Sequence, residues 1–204
     1  MSPARPSQRY TSVAIILHWV MALGIIALAS LGLAMTHLTL SPMRVFQLYQ
    51  LHKSIGITIL LAAFLRLAWR LMNHPPPLPM AMPTIERIAA VGGHLLLYVF
   101  LFALPLTGWA LVSASVFDIP TVLYGVVPWP HLPFLSTLAD KEPVEAFLKT
   151  VHAYGAWALI ALVSAHAAAA LRHHFILRDD VLLRMFPGRR KPSITATRPH
   201  EVSQ

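Results

Sequence analysis

VHAYGAWALIALVSAHAAAALRHH, residues 151–174, is an apolar run long enough to cross a bilayer. It carries His152 and His166 and ends in the pair His173–His174. The fourteen steps from His152 to His166, at about 1.5 Å each, set them roughly 21 Å apart along a helix. At about 100° per step the same distance returns to within roughly 40° of the starting direction. Both imidazoles therefore leave one helix face, near the two ends of the span. Ionisable side chains at membrane depth call for partners and for a function, and the rest of the chain offers candidates for both.

Of 204 residues, 56% are hydrophobic and 12% charged, and the mean hydropathy is +0.62. A soluble domain carries about twice that charged fraction, so an integral membrane protein is expected. The absence of cysteine excludes disulfides, thiolate-held iron–sulfur clusters, zinc ribbons and covalent haem attachment. Eleven histidines are available as ligands instead. The net charge of +8 does not point to nucleic acid, because in a membrane protein the position of each charge matters more than the sum.

Four apolar runs predict four helices, at about 13–35, 51–71, 88–112 and 151–174. Together they predict an all-α, integral membrane four-helix bundle forming one domain, residues 1–187. The first run is too long for the apolar core of a cleaved leader, about 7–15 residues, and it contains His18 and Trp19, so it is read as a retained helix. HPPPLPMAMP at 74–83 cannot be helical, since proline removes donors and clashes with the preceding turn. Residues 36–50 and 113–150 are expected as loops. The segment 188–204 is expected as a basic, disordered tail. Twelve of the sixteen Lys and Arg residues fall in the N-terminus, the 66–87 region and the C-terminal tail. That excess marks the cytoplasmic face and predicts both termini inside. Trp19, Trp69, Trp109 and Trp157 fit an interfacial aromatic belt.

This topology sorts the histidines by depth. His52 and His152 fall at the outer level, His18 and His166 at the inner level. Two bis-histidine haems stacked across the bilayer are the simplest account: iron accepts neutral imidazole on its axial positions, and bundle cores hold cofactors from facing helices. Gly56, Gly155 and the AAAA after His166 would leave room for porphyrins, although small residues also suit close helix packing. A lone histidine is often only a helix–helix hydrogen bond, which does not account for four at matched depths. A zinc site would need about four ligands at one point, whereas a haem-free proton or metal transporter using the same ladder stays a rival. His94 also lies near the inner level, so spacing alone leaves His18 and His94 both open as the partner of His166. Arg66, fourteen residues after His52, reaches the same level and could pair a haem propionate or serve as a cytoplasmic anchor. His173 and His174 suit either interfacial snorkelling or proton donation to a quinone.

The motifs LHW (17–19), LHKSIG with FLRLAWRL (51–56, 64–71), GHLLLYVFLFALPLTG (93–108) and HAAAALRHHFILRDDVLLRMFP (166–187) resemble the bacterial cytochrome b561 family, small di-haem cytochromes of the inner membrane. The resemblance spans nearly the whole chain; only the 113–150 loop and residues 192–204 fall outside it. It implies two haem b groups ligated by His18, His52, His152 and His166, and so selects His18 over His94. It implies electron exchange with quinone, ubiquinone in one well-known member, with His173 near the quinone. It further implies superoxide as one candidate periplasmic donor, for which Arg44, Lys53 and Lys149 are available while Asp140, Glu142 and Glu145 oppose it. A haem-bearing anchor subunit, taking electrons from a larger dehydrogenase or hydrogenase as redox partner, is the nearest alternative.

Overall fold

Four helices are long and apolar enough to cross a membrane: α1 (Ser12–His37), α2 (Pro42–Met72), α3 (Thr84–Ser113) and α5 (Glu142–Arg172). The structure, a computed structural model, describes residues 9–79 and 82–186; the tail expected at 188–204 lies outside them. α1 packs on α2, α2 on α3 and α3 on α5. Large apolar side chains point outward along each long helix, Leu23 at 65% and Leu65 at 64% exposed, as lipid-facing surfaces do and water-facing ones rarely do. Inside, Met21, Ile59, Ala63 and Leu101 form a core cluster between the two histidine levels. Two glycines let helices approach closely. A Cβ on Gly24 would collide with the Ile59 side chain of α2, and one on Gly155 would meet Leu104 of α3 at 2.9 Å.

The helices outrun their apolar stretches. α2 begins at Pro42 and α5 at Glu142, so residues 42–50 and 142–150, expected as loop, are helical. Proline in the first turn of each fits there because its missing N–H would have no helical partner and its φ is already helical. Hydropathy marks only the lipid-embedded part of a helix, and these opening turns are too polar to register. α3 runs on through Pro105.

One end of the bundle, the hairpin end, carries the 114–141 connection. This is not structureless. Thr121–Leu123 (β1) pairs antiparallel with Val127–Trp129 (β2), Thr121 opposite Trp129, and Pro133–Ser136 makes a helical turn, α4. The hairpin turns through Tyr124 and Gly125, both at positive φ (52° and 74°), a conformation unfavourable for a side chain such as tyrosine. Contacts hold Tyr124 in it: its N–H donates to Ser54 Oγ (2.9 Å) and its hydroxyl lies 2.7 Å from Thr58 Oγ1. Gln50 Nε2 and Lys53 Nζ both donate to Pro120 O. Glu145 accepts from Val116 N–H (2.8 Å) and Ser115 Oγ.

The opposite, terminal end is stitched by arginines and indoles. Arg9 Nη2 donates to Leu183 O and Phe186 O, Trp19 Nε1 to Met185 O, and Trp69 Nε1 to Thr11 Oγ1. Arg172 pairs with Glu86 at 3.1 Å, and Arg184 binds Asp180 and Pro77 O. α5 closes in a π-helical turn, His173–Leu177, and the chain reverses at Arg178 (φ 55°).

Candidate functional site

The histidine ladder assembles by side-chain reach across the bundle. His52 is ten residues into α2 and His152 ten residues into α5, which puts both at one depth below the hairpin end. Their ring centroids are 6.2 Å apart, with planes 74° from parallel. His18 of α1 and His166 of α5 are likewise 6.2 Å apart, at 66°. A metal–imidazole bond of about 2 Å, plus roughly 1 Å from ring nitrogen to ring centre, puts two imidazoles on opposite sides of one ion about 6 Å apart. Both pairs meet that spacing, so the residues present fit a metal-centred planar group held between them. Among the described residues no three His, Cys, Asp or Glu converge on a point that could hold an ion.

Each imidazole has its own surroundings. His152 Nδ1 is 3.1 Å from Thr107 Oγ1, and Thr107 donates to Leu104 O. His52 Nδ1 is buried with no hydrogen-bond partner among the described residues. Glycines from α1 and α3 clear both outer rings: a Cβ on Gly32 would sit 3.8 Å from His52 Cε1, and one on Gly108 would sit 3.1 Å from His152 Cε1. Beside His52, a Cβ on Gly56 would meet nothing within 4 Å, as room for a macrocycle requires. Of the two roles the sequence leaves open for Gly155, room for a porphyrin or close helix packing, the second holds. The position is filled against Leu104 and belongs to helix packing.

Arg66 Nη2 donates to His18 Nδ1, and its Nη1 to Ala14 O, each at 3.3 Å. His94 also reaches the inner level, its ring centroid 5.4 Å from that of His166. Its Nδ1 lies 2.6 Å from Ala90 O; a carbonyl can only accept, so Nδ1 carries the proton. His173 stands apart from both pairs and binds Asp179 instead, Nδ1 to Oδ2 at 2.5 Å, while Asp179 Oδ1 accepts from Val181 N–H. Burial, the largest single influence, pushes the Asp179 carboxyl up. The hydrogen bonds from His173 and Val181 and the charges of His173 and Arg184 outweigh it, leaving the group below its ordinary value.

Thr107, Gly32, Gly108 and Asp179 were not singled out from sequence. Asp179 had a readable signal in the RDD that follows the His-His pair. The others sit in apolar helix with nothing local to mark them.

Paired imidazoles at two depths of a four-helix membrane bundle are the arrangement that a membrane cytochrome of the b type would need. The chain belongs to the prokaryotic cytochrome b561 family, whose model matches residues 9–188. It is 36% identical over 186 residues to "Cytochrome b561 homolog 2" of Escherichia coli K12, covering 91% of this chain and 95% of that one. It is also 33% identical over 188 residues to "Probable superoxide oxidase CybB" of Yersinia pestis, covering 90% and 98%. With its four spanning helices, it is a multi-pass protein of the bacterial inner membrane that takes part in electron transport using b-type haem.

Proposed function

We propose that the chain holds two b-type haems and moves electrons from a donor at the hairpin end to quinone, ubiquinone by family likeness, at the terminal end. The observation that carries this is the repeated 6.2 Å spacing: His52 with His152, and His18 with His166. The His94–His166 separation of 5.4 Å is shorter than two rings flanking one ion need, which favours His18 as the inner ligand and leaves His94 packed on the edge of His166. Bound haem would accept and release single electrons, and the protein tunes it through ligand identity, burial and nearby charge.

The chain's own groups prepare these positions. Thr107 orients His152 through Nδ1, the outer-shell role that fixes ligand tautomer and ring angle. Arg66 donates to His18 Nδ1, a contact that places the imidazole proton on Nε2. Ligation through Nε2 would need that proton on Nδ1 instead, so Arg66 would let go and become available to a propionate, for which a guanidinium is suited. At the terminal end, Asp179 holds His173 through Nδ1, leaving Nε2 to serve a quinone oxygen.

Superoxide is the proposed donor. Two superoxide anions would each lose one electron to become dioxygen, while one quinone gains two electrons and two protons to become quinol. The donor rests on the name of the Yersinia relative and on Lys53, adjacent to His52. Glu145, which opposed it in the sequence, is tied down by Val116 N–H and Ser115, and Asp118 by Lys141 at 3.1 Å. The test uses purified protein. A pyridine haemochrome assay should give two haems per chain, and a superoxide source should drive quinol formation. One haem per chain removes one pair. Two haems without superoxide-driven quinol removes the donor and leaves the wire.

A further inference from the structure

Arg9, Arg66 and Arg70 line one cavity of about 860 Å³ at the terminal end, between the start of α1 and the last turns of α2, and among the described residues neither Asp nor Glu lines it. His18 and His166 do not line it; it adjoins the inner histidine pair through Arg66, which bonds His18. The three cations are differently engaged. Arg66 is turned to His18 and Ala14 O, and Arg9 donates to the carbonyls of Leu183 and Phe186. Arg70 lies over the Tyr98 ring at 5.4 Å and has no hydrogen bond or ion pair among the described residues. Tyr10 lines the same space. Burial raises its pKa against the pull of Arg70 and Arg66, so its hydroxyl stays a neutral donor.

The remaining wall is apolar. Ile16, Val20 and Leu23 of α1 line it and face outward at 61%, 54% and 65% exposure. Spaced by four and three residues, they form one stripe, running about 10 Å from the basic end toward the middle of the span. A cationic donor with no anionic partner among the described residues, Arg70, joined to a lipid-facing stripe suits an amphiphile with an anionic head. A neutral quinone would leave the charge unmet, and a free polar anion would leave the stripe without a partner. Basic pockets between membrane helices bind anionic lipid head groups on these grounds.

We propose that this cavity binds one anionic phospholipid, its phosphate held by Arg70 and the Tyr10 hydroxyl and an acyl chain laid along Ile16, Val20 and Leu23. The test takes full-length, haem-loaded protein in mild detergent, adds phosphatidylglycerol or phosphatidylcholine at equal mole fraction, and measures retained lipid by native mass spectrometry. Phosphatidylglycerol should be retained at least tenfold over phosphatidylcholine. Arg70→Gln and Tyr10→Phe should each lower its retention several-fold with the reduced haem spectrum unchanged. Tyr10→Phe lies outside the spanning helices and keeps the test open if Arg70→Gln folds poorly. Equal retention of the two lipids, or undiminished phosphatidylglycerol in the variants, overturns the proposal. So does displacement of phosphatidylglycerol by stoichiometric ubiquinone, which would make the cavity a quinone site.

Discussion

His173 and Asp179 meet because the last turn of α5 is widened into a π-turn and Arg178 then takes a left-handed conformation. Strain of that kind persists where neighbouring contacts over-determine it, here the Asp179 carboxylate on His173 and on Val181 N–H. The Asp179 carboxyl titrates below its ordinary 3.8 when folded. A depressed carboxyl stabilises the fold above its unfolded pKa and loses that contribution as pH falls through the folded value. The terminal end should therefore stay docked at pH 5 and loosen only under stronger acid, read from Trp19 fluorescence, since Trp19 donates to Met185 O. Asp179→Asn should loosen it at neutral pH. If His173 delivers protons, this variant should also slow quinone-driven re-oxidation of the reduced protein by about tenfold, the low end for loss of general acid assistance, and shift its pH profile. A merely structural contact would leave that profile in place. Thr107→Val tests the other end: losing an outer-shell partner typically weakens metal binding about 10–100-fold, so haem titration should show weaker outer-site binding with the inner site unchanged.

The hairpin is positioned by α2 as much as by its own strands. Ser54 is buried, accepts from Tyr124 N–H and donates to Gln50 O. It thus links the positive-φ turn to the helix that carries His52. Ser54→Ala should cost about 1 kcal/mol for the lost hydrogen bond, more for the N–H left unsatisfied, and amide exchange across 121–129 should rise while the helices stay protected. None of this was legible in residues 113–150, because a three-residue strand pair held by distant serine and glutamine leaves no periodicity of its own. The four spans were legible, since a lipid-facing helix must announce itself in hydropathy. The nine-residue helical extension of α2 carries an ordinary helix-start signal in Ser41-Pro42, but its polar turns leave no trace in hydropathy. The fourteen-residue spacing of His152 and His166 could be read from one helix alone. The choice between His18 and His94 could not, because it depends on how α1 and α3 rotate toward α5.

At the scale of the whole molecule, α5 is common to both pairs, while the partners come from α1 and α2. Each site then depends on a different pair of helices, and the packing of α5 on α3 supports both. His166→Ala removes one imidazole from the inner level and leaves His52, His152, Thr107 and Gly108 untouched. Haem content should drop from two to one per chain, and the remaining haem should keep its spectrum. Loss of both would show that the inner haem is needed for the bundle to close. The same division fixes a direction for the electron path only if the basic, terminal end faces the cytoplasm, as the distribution of Lys and Arg predicts. A green fluorescent protein fused after residue 204 should then be bright and an alkaline phosphatase fused there inactive. The same phosphatase inserted in the hairpin turn at Gly125 should be active. The reverse result would place the His18–His166 pair at the periplasmic side and rule out superoxide entry beside His52.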